Sequence, residues 1–356
     1  MDLTKIDKNF ITESVSSKTD LEWHDVKDGE FQVYGLYKPY ETEGFVRMPQ
    51  EVADTVNVGV AELHTHTAGG RIRFCTDSPY IAILMQTPTT YRHVGMGLTA
   101  ADGFDLYVIN NGNANFFGVF PIPFDFKDGY SGVINVYGNG NMVCYEIEMP
   151  LYAHVSSLYI GLKQGSKIAA GEPYRNELPV VYYGSSITQG ANASRPGTCY
   201  EAMISHRFNL NYTNLGFSGS CKGEKEMAEY MAGLPMCCFV CDYDHNSPSL
   251  EHYIETHYPL YETIRKAHPD IPYIMISRPT NAVTNDSVVK KFEAMMDSYN
   301  KAVANGDKNV YYIDGRDFYK GLNSIDCSGD NTHPNDIGFH KMSEIIGDMI
   351  EKVLLK

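Results

Sequence analysis

The 356-residue sequence is short of the features that mark membrane proteins, nucleic-acid binders and disulfide-framed secreted domains. No apolar run approaches the roughly 20 residues that a bilayer-spanning helix needs. Basic residues are outnumbered, 29 against 44 acidic ones, and the net charge of -15 sets the surface against nucleic-acid phosphates and anionic lipid. The opening MDLTKIDKNFITES has neither the basic start nor the apolar stretch of a secretion signal, so a cytoplasmic protein is expected. The eight cysteines (Cys75, Cys144, Cys199, Cys221, Cys237, Cys238, Cys241 and Cys327) follow no paired spacing and sit mostly in apolar or strand-like surroundings; free thiols are expected. Cys238 and Cys241 have the spacing of half a zinc site, but no second pair answers them. Neither a metal nor a cofactor is expected. Tryptophan is reduced to Trp23, while 26 tyrosines supply rings that favour strands and cores, with a few free to stack on sugars.

What is present divides the chain in two. From about Phe31 to Leu162, short runs rich in Val, Ile, Tyr and Phe alternate with turn signals such as GG, DSP, NNGN, KDG and GNGN. RIRFCT, YIAILMQ, DLYVIN, GVINVYG and SLYIGL read as strands without intervening helical periods, which predicts a β-sandwich of jelly-roll type. The segment Ser166 to Pro179 loses that pattern and supplies Gly, two prolines and charges, so a boundary is placed there, between residues 1–172 and 173–356. Beyond it, apolar strands at PVVYY, TNLG, CFVCDY, YIMIS and VYYID alternate with helical stretches near Cys199–Phe208, Glu224–Met231, Leu250–Ala267 and Val288–Val303. That alternation predicts a parallel sheet covered by helices, the last of which has Met342, Ile345, Ile346, Met349, Ile350 and Val353 on one face.

In a parallel α/β sheet ligands bind beyond the carboxyl ends of the strands. Four loops there carry suitable groups. Gly184-Ser185-Ser186-Ile187-Thr188-Gln189-Gly190 follows the strand VVYY and presents Ser186 where a nucleophile would stand, although an isolated serine there would read equally well as a helix cap. Asp330 and His333, three positions apart in DNTHPN, are close enough for the carboxylate to hold the imidazole while its other nitrogen faces a serine. Gly219 in NLGFSGS and Asn246 in DYDHN offer a backbone and a side-chain N–H for an oxyanion. His64 and His66 in ELHTHT would share one face of a strand and form half a metal site. His245 and Arg195 are candidates for lining the pocket.

These four segments, in this order, resemble the blocks of the SGNH or GDSL hydrolase superfamily, and GFDLY (Gly103 to Tyr107) resembles the signature of a β-rich domain that precedes such hydrolases. The resemblance implies a three-layer α/β hydrolase domain with Ser186 as nucleophile, His333 and Asp330 completing a triad, and an oxyanion hole of the Ser186 N–H, Gly219 and Asn246. Two departures stand out: Ser185 where the family often has Asp, and Asp244-His245-Asn246-Ser247 where it has a Gly-x-Asn-Asp block. The implied activity is a serine esterase that removes acyl groups, acetyl first, from carbohydrate. Its partner would be a small-molecule or oligosaccharide ester, with no nucleic acid and no membrane. A lipid or thioester hydrolase and a non-catalytic carbohydrate-binding protein are the alternatives.

Overall fold

Apolar side chains at every second position give the front half two antiparallel sheets. The computed structural model describes residues 3–8, 12–90, 92–136, 140–280 and 286–355; residues 137–139, which carry part of the expected GVINVYG strand and GNGN turn, lie outside the described residues. In chain order the strands are β1 (Leu21–Asp25), β2 (Gln32–Tyr34), β3 (Arg71–Thr76), β4 (Tyr80–Gln86), β5 (Asp105–Asn110), β6 (Asn113–Val119), β7 (Gly129–Asn135), β8 (Val143–Glu148), β9 (Ser157–Lys163) and β10 (Ile168–Ala170). One sheet runs β1-β9-β4-β7 and the other β10-β3-β8-β5-β6, with β2 also on β3. The pairs β1·β9, β3·β8, β4·β7 and β5·β6 are nested about a centre between β5 and β6, and this half is antiparallel and β-rich, as expected. Between the sheets, Ile81, Ile83 and Met85 of β4 and Ile160 and Leu162 of β9 meet Ile72 and Phe74 of β3 and Tyr145 and Ile147 of β8. Trp23 packs on the outer face against Tyr80, Ala82 and Val133.

Two expectations are corrected here. The front half is not free of helices: α1 (Gln50–Val56) and α2 (Val58–Leu63) lie between β2 and β3, and the four-residue α3 (Leu98–Ala101) precedes β5. Asn57 separates the first two and caps α2, its side chain accepting the Val60 N–H. These helices are too short to show a period. Their apolar residues Ala53 and Val60 pack on the second half instead of the sandwich, so the strand grammar around them is no guide. Nor are all the cysteines free. Cys75 and Cys144 stand directly opposite on β3 and β8 and are joined in a disulfide, a pairing set by strand register that a separation of 69 residues does not disclose.

The second half is a five-stranded parallel sheet, β11 (Val180–Gly184), β12 (Tyr212–Gly216), β13 (Cys238–Asp242), β14 (Tyr273–Ile276) and β15 (Val310–Ile313), ordered β12-β11-β13-β14-β15. Its helices are α4 (Ser186–Gln189), α5 (Tyr200–Phe208), α6 (Lys225–Ala232), α7 (Leu250–Ala267), α8 (Asp286–Ala304) and α9 (Asp336–Leu354). One face of the sheet buries Val180, Tyr182, Val240 and Ile274 against Ile204 of α5 and Met342, Ile346 and Ile350 of α9. The other buries Val181, Tyr183, Phe239 and Met275 against Met227, Leu260 and Met295. Burial on both faces is why these strands read as unbroken apolar runs. It also separates Cys238 from Cys241, which belong to opposite cores. The chain moves outward from β11 in opposite directions, to β12 and to β13, so the crevice for a ligand opens at the end of β11.

Buried arginines tie the halves together. Arg47 donates to the carbonyls of Leu63, His66, Asn214 and Gly216. Arg71 reaches Tyr174 Oη, Asn211 Oδ1 and the Tyr212 carbonyl. Arg73 pairs with Glu146, whose other oxygen meets His206 of α5 at 3.1 Å. Arg195 points toward the front half: it pairs with Asp105 at 2.7 Å and donates to Tyr107 Oη, while the same Asp105 oxygen accepts the Gly197 N–H. GFDLY thus contributes a junction between the halves.

Candidate active site

Strand β11 ends at Gly184, where only glycine fits because a Cβ would strike Thr188 and the Asp242 carbonyl. The next residue, Ser185, is buried and caps α4, its Oγ accepting the Ile187 N–H. Ser186 therefore opens the helix, with its N–H among the first-turn donors that no helical carbonyl receives. After one turn Gly190, at φ +99°, ends α4 in a conformation that favours glycine.

Ser186 Oγ lies 2.8 Å from His333 Nε2, and His333 Nδ1 lies 2.6 Å from Asp330 Oδ2. The other carboxylate oxygen, Asp330 Oδ1, accepts the backbone N–H groups of Thr332 and His333. Burial alone would raise this carboxyl group, but the His333 imidazole and the two N–H donors outweigh it and hold it down at about 2. The loop is closed on itself: Ser328 Oγ donates to the His333 carbonyl, and Asn335 donates to Cys327 O while capping α9. The three residues chosen from the sequence thus form one hydrogen-bonded chain.

The oxyanion candidates sit in the loops after β12 and β13. Gly219, at φ +68°, has open space where a Cβ would stand. Asn246 lies in the turn following β13, its N–H donating to the Tyr243 carbonyl. Two positioning residues escape the sequence reading. Lys291 of α8, buried, donates to the carbonyls of Asp244 and Ser247 and so pins both sides of Asn246. Gln189, inside the serine block, accepts the Ser218 N–H and donates to the Leu151 carbonyl, linking the nucleophile helix to the glycine loop and to the front half. Gln189 stood within a quoted motif; Lys291, on an amphipathic helix, gives no signal.

His245 adjoins Asn246, and burial pushes its imidazole down to about 4, leaving it neutral at physiological pH. His64 and His66 do not line a strand as expected. His64 is the C-cap of α2 and meets the Ala61 carbonyl, whereas His66 Nδ1 takes the Gln189 amide at 3.2 Å, so the helix end separates the two rings. A different trio, Glu146, Glu148 and His206, has metal-like proximity. It is already occupied by cationic groups: Arg73 pairs with Glu146, and the two carboxylates outweigh burial to hold His206 at about 9, so it is charged.

Both halves of the chain match known families. Residues 177–351 match the GDSL-like lipase/acylhydrolase family, and residues 21–168 match the GxDLY domain, the N-terminus of SGNH-hydrolase-type esterases. No curated protein matches the chain. Among solved structures, a putative GDSL-like lipase from Bacteroides ovatus is 31% identical with a TM-score of 0.84, over 94% of this chain and 98% of its own. A salicylyl-acyltransferase from a tetracycline biosynthetic pathway shares 18% identity with a TM-score of 0.76, covering 95% of this chain and 98% of its own. An acetyl xylan esterase from the rumen bacterium Butyrivibrio proteoclasticus shares 11% identity with a TM-score of 0.62, over 94% and 98%. At their identities the latter two show the fold alone.

Proposed function

Because the chain belongs to the GDSL-like lipase/acylhydrolase family and is an ester hydrolase, we propose that it is a serine esterase that cleaves acyl esters of carbohydrate hydroxyls. The observation that carries this reading is the chain Ser186 Oγ, His333, Asp330. His333 Nε2 takes the Ser186 proton as Oγ bonds to the ester carbonyl carbon. The carbonyl oxygen becomes an oxyanion, received by the Ser186 N–H, the Gly219 N–H and the Asn246 side chain. Collapse breaks the bond to the alcohol, which leaves with the proton from His333. Water then repeats the sequence, giving the acid and free Ser186 Oγ. Asp330 stays ionised, fixes the imidazole tautomer and stabilises the transient imidazolium.

Carbohydrate is favoured by the shared fold of both halves with sugar esterases and by the acidic surface, which suits neither lipid phosphates nor nucleic acid. In the full chain, Ser186→Ala is expected to lower turnover of a chromogenic acetyl ester by at least about 10³-fold with the melting temperature nearly unchanged. Near-native turnover would refute the nucleophile. Acylated oligosaccharides, triglycerides and acyl thioesters, compared side by side, test the substrate class; acid release from thioesters but from no acylated sugar would overturn it.

A further inference from the structure

A cavity of about 310 Å³ opens beside His333 between the two halves. Its walls are Leu63, Met96 and Ala101 from the front half and Ala191 from the loop after α4. Its floor is Tyr152 with His66, whose rings meet edge to face at 5.8 Å. Burial keeps His66 neutral, at about 3, and Arg92, 42% exposed, is turned to Asp102 at 2.8 Å, while His93, Asn192 and Ser218 add polar groups to the lining.

We propose that this cavity is the acyl-binding pocket and that the enzyme prefers uncharged acyl groups of about four to eight carbons over acetyl. The proposal rests on the esterase reading and deepens it. The volume is that of roughly ten water molecules at about 30 Å³ each, so an acetyl methyl leaves most of it wet. A longer chain expels that water and covers Leu63, Met96 and Ala101. The acyl group, not the alcohol, suits the cavity. It stays on Ser186 through both half-reactions, whereas the alcohol must leave before water enters beside His333. The front half therefore selects substrate by supplying three of the four apolar walls.

The test uses the full chain and p-nitrophenyl acetate, butyrate, hexanoate and octanoate, which share one leaving group and differ only in the acyl part. Because one methylene in an apolar pocket is worth roughly tenfold or more, kcat/KM corrected for spontaneous hydrolysis should rise at least about tenfold from acetate to hexanoate. Met96→Trp, which fills the cavity, should lower the hexanoate-to-acetate ratio at least about fivefold, and Leu63→Ala, which enlarges it, should raise the octanoate-to-hexanoate ratio. Acetate as the best substrate overturns the proposal. So does an unmoved ratio in a folded Met96→Trp protein or, should that variant not fold, in Leu63→Ala. A companion series of acetates of ethyl, butyl and hexyl alcohol separates the two halves of the ester: a gain confined to that series assigns the cavity to the alcohol and overturns the proposal. Acetate turnover without an acyl trend sinks the pocket alone; no turnover of any ester sinks the esterase reading.

Discussion

Glu146→Gln should destabilise the protein through the junction between its halves. Glu146 is fully buried on β8; its oxygens receive Arg73 from β3, Tyr174 from the connecting segment and His206 from α5. Burial opposes its charge, but Arg73 and His206 outweigh that and hold the carboxyl group well below the usual range. Removing the charge leaves Arg73, itself buried, without its counterion, a change that costs about 3–5 kcal/mol. At about 2.1 cal/mol/K per residue, 356 residues lose the fold with about 0.75 kcal/mol/K, so the melting temperature should fall by about 4–7 °C if both halves unfold together. Arg207→Gln, which breaks a surface pair with Asp348 whose side chains are 41% and 67% exposed, is the control and should cost at most about 1 kcal/mol. A second measurement tests the same cluster. His206 is raised from 6.5 to about 9, so its contribution is complete below about 6.5 and is lost as pH rises through about 9. That shift is worth roughly 3 kcal/mol at about 1.4 kcal/mol per unit, and it should vanish from the pH dependence of His206→Gln. A drop below about 1 °C in Glu146→Gln, with wild type and His206→Gln sharing one stability profile between pH 6.5 and 9, would refute the reasoning.

Lys291→Met should lower kcat about 10-fold or more with little change in KM, because it frees the carbonyls on either side of Asn246 without touching substrate; an unchanged kcat in a folded variant would remove Lys291 from the positioning machinery. Gly219→Ala should cost roughly 1–2 kcal/mol of stability through its φ of +68°, and about 10²-fold in kcat/KM if the new methyl enters the oxyanion space, read by melting and by initial rates; native rates would place the oxyanion elsewhere. Asp330, held at about 2 against 3.8 in an ordinary carboxyl, contributes stability present above about pH 3.8 and lost as pH falls through about 2. Any acid fall of kcat/KM above about pH 4 should therefore carry no contribution from Asp330, and a two-proton limb there would refute the assignment.

Much of this was legible because local grammar and tertiary demand agree. RIRFCT, YIAILMQ and DLYVIN coincide with β3, β4 and β5 to the residue, since turn signals bound each run and one face of each strand meets the other sheet. Leu250–Ala267 coincides with α7, and the apolar face read for the last helix is the one α9 buries. Ser186, Asp330 and His333 could be chosen because each follows a recognisable stop in that grammar: a glycine after an apolar strand, and an Asp-x-x-His ahead of a capped helix. The failures share a cause. The helices α1 and α2 pack on the second half, so no neighbour in sequence explains their side chains. Cys75 faces Cys144 only once β3 and β8 are in register. Arg195 reads as a loop cation beside the serine block until its counterion, 90 residues upstream, is in place.

GFDLY shows how a short motif can be recognised before its physical role is. Alternation along β5 puts Asp105 and Tyr107 on the same side of the strand, and both reach Arg195. The Asp105 carboxylate also takes the Gly197 N–H, so two points of the loop after α4 are fixed from the front half. Asp336, at the start of α9, takes the Ser194 N–H and hydroxyl on the other side. The residues just ahead of these anchors, Ala191 and Asn192, line the cavity at His333. A strand motif in one half therefore acts on the active site through the loop that bounds the cavity. The carboxylate, the aromatic hydroxyl and their spacing of two are the features that hold this loop.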